Sequence, residues 1–402
     1  MIQKPVLIVG GGIGGLTLSL CLSKEGIASR VFERRGNFAE TGAGIQLSPN
    51  CMRVYDYLGI VDLIRSFAYE PDCVQFLDGK QNRILAEIQL GASLAEDYGF
   101  PYYNVNRAQL VELLARLASE DDLIQLYPGC EVTAFGSVGS DVKIEVDGND
   151  FDGSLLVGAD GINSTVRSQI FGSDEAVFTG HVAWRAQVPI ESISSKFHNK
   201  VSRVWWGRRK HLVAYPVQNG RLLNCVAVVE NKSWASDSWH QPGDLRELTE
   251  EFADWAPEVQ EIIKSIPSSD LFKWGLFHRS DLKTWRKGLF VLLGDACHAP
   301  LPFMAQGAAM AIEDAACLAL CLSRSDSVKS GFEAYEEFRK SRTQKVKSMS
   351  ARNGRIFHLS GVAAFLRNNF LKVFDLKVDR FLYSYNVFEI NERLGNKGST
   401  LL

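Results

Sequence analysis

The chain moves between two hydrophobic rhythms. VLIV (6–9) is an unbroken apolar run, as expected of a parallel strand buried on both faces. A glycine cluster follows, then LTLSLCL (16–22) at helical spacing to about Glu25 and Gly26, then a second strand, SRVFE (29–33). Between about 178 and 230 the period changes to two: HVAWRAQV (181–188), SRVWWG (202–207), HLVAYPV (211–217) and LLNCVAVV (222–229) predict antiparallel strands. GRRK (207–210) and NGR (219–221) mark their turns. Helical spacing returns from about 244 in LRELTEEFADWAPEVQEIIKSI, and an apolar strand, LFVLLG (289–294), precedes a small-residue helical run. Residues 330–360 predict a long amphipathic helix, and FLRNNFLKVFDL (365–376) a shorter apolar-basic one expected to dock on the body. This order predicts an α/β fold. A Rossmann-like domain (1–175, continued at 276–345) holds an inserted antiparallel-sheet substrate region (176–275), and a helical segment (346–402) ends the chain.

Composition narrows the picture. With 402 residues, 46% hydrophobic and 23% charged, the chain has ample core for such a fold. A net charge of −3 gives no electrostatic case for a nucleic-acid partner. The eight cysteines form no CxxC pair, which argues against a zinc site or disulfide framework and suits a reducing cytosol. The uncharged stretch 5–23 is nearly long enough to span a bilayer, but its glycines fit a strand turning into a helix. The expectation is a cytoplasmic protein, monomer or homodimer, without metal or stable membrane insertion. No internal repeat is visible.

Gly10, Gly12 and Gly15 stand in G-x-G-x-x-G spacing between the first strand and its helix. The first permits a tight turn, the second lets a pyrophosphate approach the backbone, and the third lets the helix pack on the strand. The helix N-terminus offers N–H donors and positive potential to phosphates. Glu33, 23 residues after Gly10, stands where an acid would bond a ribose hydroxyl. Strand, glycines, helix, strand and acid together predict an adenine-dinucleotide site, with Gly14 and Arg34 in the same loops. Arg34 and Arg35 are no sign of NADPH, because this fingerprint serves the resident dinucleotide.

Three further segments identify which dinucleotide: ETGAGIQLSPN (40–50) followed by NRAQLVELL (106–114), then LLVGADGINSTVR (155–167), then GDACHAPLPFMAQGAAMAIEDA (294–315). In this order they resemble the single-component FAD-dependent aromatic hydroxylases of the salicylate hydroxylase and 6-hydroxynicotinate monooxygenase type, over the chain to about residue 345. The resemblance implies non-covalent FAD, NADH or NADPH as hydride donor, O2, and a flavin hydroperoxide that hydroxylates a small phenolic or hydroxy-carboxylate ring. It implies that Asp160, with Ser164 and Arg167, belongs to a second nucleotide fingerprint, that Asp295 bonds the ribityl chain, and that Arg107 reaches the phosphates. Gly44, Gln46 and Val132 complete the expected cofactor set. Ala305 and Ala309 stand where the family often has glycine and asparagine; MAQGAAMA (304–311) is the form of the salicylate and hydroxynicotinate branch.

The residues carry their own reading beside it. Gly307 and Ala308 open a helix whose N–H groups and dipole stabilise negative charge on a reduced flavin, and small side chains there admit a flat ring. Asp295 is equally a turn or capping aspartate on sequence alone. Pro300 and Pro302 stiffen the preceding loop, and Pro302 counts with His211 and His298 among the catalytic candidates. His298 is a catalytic candidate, although a structural backbone bond is the commoner fate of a lone histidine. The aromatic sheet predicts one wall of a flat pocket, with Trp184, Trp205, Trp206, Tyr215 and Phe303 as candidates and Arg185 as a carboxylate partner or a surface ion pair. His211, after the basic turn, matches a histidine that lines the active site of the hydroxynicotinate enzymes. As a base near working pH it would turn a phenol into the more reactive phenolate.

Other readings share this scaffold: a flavoprotein dehydrogenase or reductase that does not activate oxygen, a non-catalytic carrier, or an epoxidase of a non-aromatic metabolite. The absence of a second GxGxxG and of a CxxC or CxxxxC pair disfavours the disulfide-reductase type.

Overall fold

The computed structural model describes residues 2–38, 43–231, 234, 241–373 and 378–397. Residues 40–42 of the second motif and 374–376 of the tail lie outside the described residues.

Apolar runs flanked by glycine build the first sheet. Its order is Arg286–Lys287, Phe290–Leu292, Leu155–Gly158, Val6–Val9, Ser29–Glu33 and Ile124–Pro128. All its pairings are parallel except the Arg286–Lys287 edge. Val6–Val9 and Leu155–Gly158 are buried along their whole length, as the unbroken apolar pattern requires. The register decides function. Val9 lies opposite Phe32 and Gly158, and Gly158 opposite Leu292. The glycine loop, Glu33, the GADG turn and the GD turn therefore leave the same C-terminal edge of the sheet, where such folds hold ligands.

The second sheet has eight strands, in the order Gln241–Pro242, Phe272–His278, Val177–Pro189, Leu222–Glu230, Lys210–Val217, Val201–Gly207, Cys73–Asp78 and Ile84–Gln89. Its last two strands come from before residue 176, so the substrate sheet recruits part of the segment expected to serve the first domain. Cys73–Asp78 pairs in parallel with Val201–Gly207, a long-range contact that no local pattern announces. The basic turn is a two-residue connection, with Gly207 opposite Lys210 and Arg209 at φ 60°.

One face of this sheet packs on Leu245–Glu251 and Pro257–Lys264, through Trp184, Trp205, Leu212 and Phe252. The other face looks toward the chain's last helices. The Val328–Phe357 helix, started by a Ser327–Ser330 capping box, packs along Gly307–Arg324. The Gly361–Val373 helix then crosses back over Ile84–Gln89. Among the described residues no helix is long and apolar enough to cross a membrane.

Candidate active site

At the sheet's C-terminal edge the glycines have separable causes. A Cβ on Gly10 would lie 2.4 Å from the Ala159 oxygen, and one on Gly15 2.0 Å from the Gly10 oxygen, so packing alone requires both. A Cβ on Gly12 would meet nothing within 4 Å: it faces open space. Gly12 also begins the Ile13–Lys24 helix without any side-chain cap, leaving first-turn N–H groups for a ligand. Gln306 likewise begins Gly307–Arg324 uncapped, because its amide is engaged with Ser48 Oγ (3.0 Å) and Asn50 (3.1 Å). A Cβ on Gly14 and one on Gly294 would both touch Ala311, so the two helix starts and the GD turn converge.

Charged groups surround this convergence. Glu33 accepts from the Gly11 N–H (2.8 Å) and the Arg35 N–H (3.0 Å), while Arg34 is exposed beyond it. Asp295 is exposed, yet crowded by protein on its other sides. That crowding raises its carboxyl pKa, against the pull of His298 and Arg107. The exposed surface, rather than the crowding, decides its use: the carboxylate is open to a ligand at the sheet's C-terminal edge. Arg107 starts a helix capped by Asn106, and its N–H is held by the Ala43 carbonyl at 2.7 Å. Asp160 caps the Thr165–Phe171 helix through Val166 N–H and Thr165 Oγ1, each at 3.1 Å, and its other oxygen is buried without a hydrogen bond. Two uncapped helix starts, an open glycine turn, an arginine and a carboxylate match a dinucleotide with two phosphates and a polyol chain, so the residues fit FAD.

Beneath the Gly307–Arg324 helix lies a buried ionic cluster. His298 Nε2 meets Asp314 Oδ2 at 2.5 Å, and Arg339 Nε meets Asp314 Oδ1 at 2.6 Å. Glu313 bonds Arg339 (2.7 Å), Arg342 (2.7 Å) and Asn50 (2.6 Å). Burial alone would raise the Asp314 carboxyl, but His298 and Arg339 outweigh it and hold the pKa at about 2. Gly294 N–H also donates to Asp314, at 3.1 Å, so the cluster fixes the GD turn from below.

Across the second sheet opens a cavity of about 940 Å³. Gln46, His211, Pro302 and Phe303 line its head, and Trp206, Phe76 and Val204 its sheet wall. The last helices form the facing wall, including Phe357, Leu366 and Leu371. His211 is 3% exposed, its ring 5.5 Å from those of Phe303 and Phe357. Its Nδ1 lies 2.8 Å from His358 Nε2. His358 Nδ1 in turn is 3.7 Å from Glu230 Oε1, whose side chain is 35% exposed. The His181 ring stands 5.3 Å from that of His358. Burial pushes the His211 pKa well below its ordinary value, helped by the two neighbouring histidines, and pushes His358 down to about 4.

The comparisons with known proteins agree with this geometry. The profile of the family described as "FAD binding domain" matches residues 3–350. The chain is 33% identical over 368 residues to 3-hydroxybenzoate 6-hydroxylase 1 of Aquipseudomonas alcaligenes, covering 91% of this chain and 93% of that protein. It is 34% identical to the 6-hydroxynicotinate 3-monooxygenase of Pseudomonas fluorescens, covering 88% and 92%. A salicylate hydroxylase substrate complex has the same fold, with a TM-score of 0.80 at 24% identity over 97% of both chains. The chain belongs to the FAD-binding-domain family of flavoprotein monooxygenases. FAD, NAD(P)H and O2 are its cofactor and co-substrates.

The flavoprotein brings together some of the expected site residues and separates others. Gln46, Trp206, His211, Pro302 and Phe303 share the cavity. Trp184, Trp205, Arg185 and Tyr215 do not line it, Trp205 packing with Trp184 on the face toward the helices at 245–264. Period two explains Trp184: it points to the opposite sheet face, where Lys273 Nζ sits 4.7 Å from its ring centre. Arg185 stacks over Trp274 at 5.6 Å. Tyr215 shares the His211 face but lies under Gly44, whose Cβ would meet it at 2.7 Å; Gly44 N–H donates to Asn224 at 2.7 Å. His298 is likewise absent from the cavity lining, being committed to Asp314. Val132 is buried in the core. Gly307 would meet only Pro300, at 3.6 Å, and half-buried Ala308 follows it. Arg167 is buried on Asp174, Ser280 and Ala296.

Sequence reading missed Glu313, Asp314, Arg339, Arg342, His358 and Glu230. Glu313 and Asp314 carried a signal, as the only acids in an otherwise apolar, small-residue helix. The two arginines, three apart on the next helix, were the matching cations. His358 and Glu230 had none, because only the tertiary fold makes them neighbours.

Proposed function

We propose that the flavoprotein hydroxylates an electron-rich aromatic ring bearing a hydroxyl group. One oxygen atom of O2 enters the ring and the other leaves as water, with NAD(P)H as the electron donor. Bound FAD supplies the redox chemistry that activates oxygen. Glu33, Arg107, Asp160, Asp295 and the two helix starts would hold it. Pro302 and Phe303 border the cavity beside the Gly307–Arg324 helix, and Gln46 borders it from the other domain. Free thiols throughout and an NAD(P)H requirement suit a cytoplasmic protein.

The observation that carries this reading is the His211–His358 hydrogen bond at the cavity head. A histidine whose pKa is depressed holds a proton poorly, so His211 alone is a weak base for a phenol. Paired, it need not hold one. With Nδ1–H donating to His358, its Nε2 accepts the substrate proton while the Nδ1 proton moves on to His358. From there the partly exposed Glu230 carboxylate, 3.7 Å from His358 Nδ1, offers the way to solvent once that gap closes. The apolar ring of Phe303, Phe357 and Trp206 keeps water away from the reacting centre. The test is substrate-stimulated NAD(P)H oxidation and oxygen uptake by FAD-loaded protein, across phenols, hydroxybenzoates and hydroxynicotinates, with product analysis. A hydroxylated product in step with NAD(P)H consumed supports the reading. A flavin that no ring stimulates ends it.

A further inference from the structure

The cavity is larger and more apolar than a single carboxylated ring requires. From its head at His211 it extends beneath the Gly361–Val373 helix, between Phe76 and Val204 on the sheet and Phe357, Leu366 and Leu371 opposite. It reaches solvent along that helix, whose exposed side is hydrophobic. Val362, Phe365, Leu366 and Phe370 are 75, 66, 62 and 58% exposed. They are four of the nine large hydrophobic side chains exposed among the described residues, gathered on one helix. Leu366 and Phe370 both line the cavity and reach solvent, so they form its doorway.

The cations offer little to a ring carboxylate. Arg352 and Arg367 are the only two lining the cavity among the described residues. Arg367 lies over the Trp206 ring at 4.7 Å and donates to the Ile356 carbonyl at 2.6 Å and to Asn368. Burial has drawn its pKa down to about 10. Arg352 is exposed and solvated. A carboxylate on a ring at His211 would sit desolvated among Phe303, Phe357 and Trp206, a costly placement without a paired charge.

We propose that the substrate is an uncharged hydroxylated ring carrying an extended apolar chain, with the ring at His211 and the chain beneath the Gly361–Val373 helix. This rests on the hydroxylase reading and narrows its substrate class. The test uses full-length, FAD-loaded protein with 4-alkylphenols from ethyl to octyl, set against hydroxybenzoates. NAD(P)H oxidation, oxygen uptake and product are followed together. Expected is a rise in kcat/KM of about two- to fourfold per added methylene until the chain reaches the rim. Leu366→Glu should flatten that dependence, and Leu366→Met should keep it. A kcat/KM indifferent to chain length, or highest for a hydroxybenzoate, overturns the proposal while leaving the hydroxylase reading intact. If neither series, nor a hydroxynicotinate, stimulates NAD(P)H oxidation, both fall.

Discussion

Beneath the Gly307–Arg324 helix, His298 shares a buried site with Asp314, Arg339 and Glu313; across the second sheet, His211 shares one with His358 and His181. Both sites bury histidine. In the first, opposite charges offset the cost of burial, and Asp314 stays ionised with a carboxyl pKa of about 2. In the second, like neighbours add to that cost, and the histidines become neutral. The first arrangement locks a turn in place. The second leaves nitrogens able to exchange protons beside a cavity. Burial by itself therefore does not tell a structural histidine from a reactive one; its partners do.

Removing one partner from the charged site should give the largest effect. Arg339→Met leaves Glu313 and Asp314 short of compensation in the core and is expected to destabilise the protein by about 3–5 kcal/mol in urea unfolding. FAD retention should fall with it, since Asp314 anchors the GD turn. At the neutral site, His211→Ala should leave the fold intact and lower the hydroxylation kcat by about 10²–10⁴-fold, read by product formation in single turnovers. A loss confined to KM would argue that His211 only binds substrate.

The pH dependence sharpens the contrast. An unfolded histidine takes up its proton near pH 6.5, while folded His358 resists until about 4. Between those values the unfolded state binds more protons, so stability falls as the pH falls through that window. The loss for His358 alone amounts to about 3 kcal/mol at pH 4. His358→Gln should flatten this part of the stability curve, measured by denaturant midpoints from pH 7 to 4. The smallest expected change concerns Ala305, which has a left-handed backbone (φ 51°) between the two sites. Ala305→Gly relieves that conformation but loosens the unfolded chain, so the midpoint should move by less than about 1 kcal/mol.

The sequence showed the cofactor side of the molecule far better than the substrate side, for a physical reason. Dinucleotide binding depends on local geometry: a strand end, a glycine turn and a helix start lie within a dozen residues, and each leaves its mark on composition. The parallel register that joins four such turns follows from sheet chemistry. The substrate cavity instead depends on which face a strand turns inward and on what packs over it. Period two marked the strands but did not say that Trp206 faces the cavity while Trp184 and Trp205 face the helices at 245–264. The helix ending at Phe357 reads as amphipathic, yet nothing local shows that His358, just beyond it, meets His211, 147 residues away.

The central claim is that proton release from the substrate runs through His211 to His358. The most direct measurement is the pH profile of substrate deprotonation, followed by the absorbance of a bound chromophoric phenol in the FAD-loaded protein and in its His358→Gln variant. The account predicts rapid deprotonation near neutral pH in the native protein and deprotonation slowed by tenfold or more in the variant, with substrate affinity preserved. Equal rates in the two proteins would contradict it.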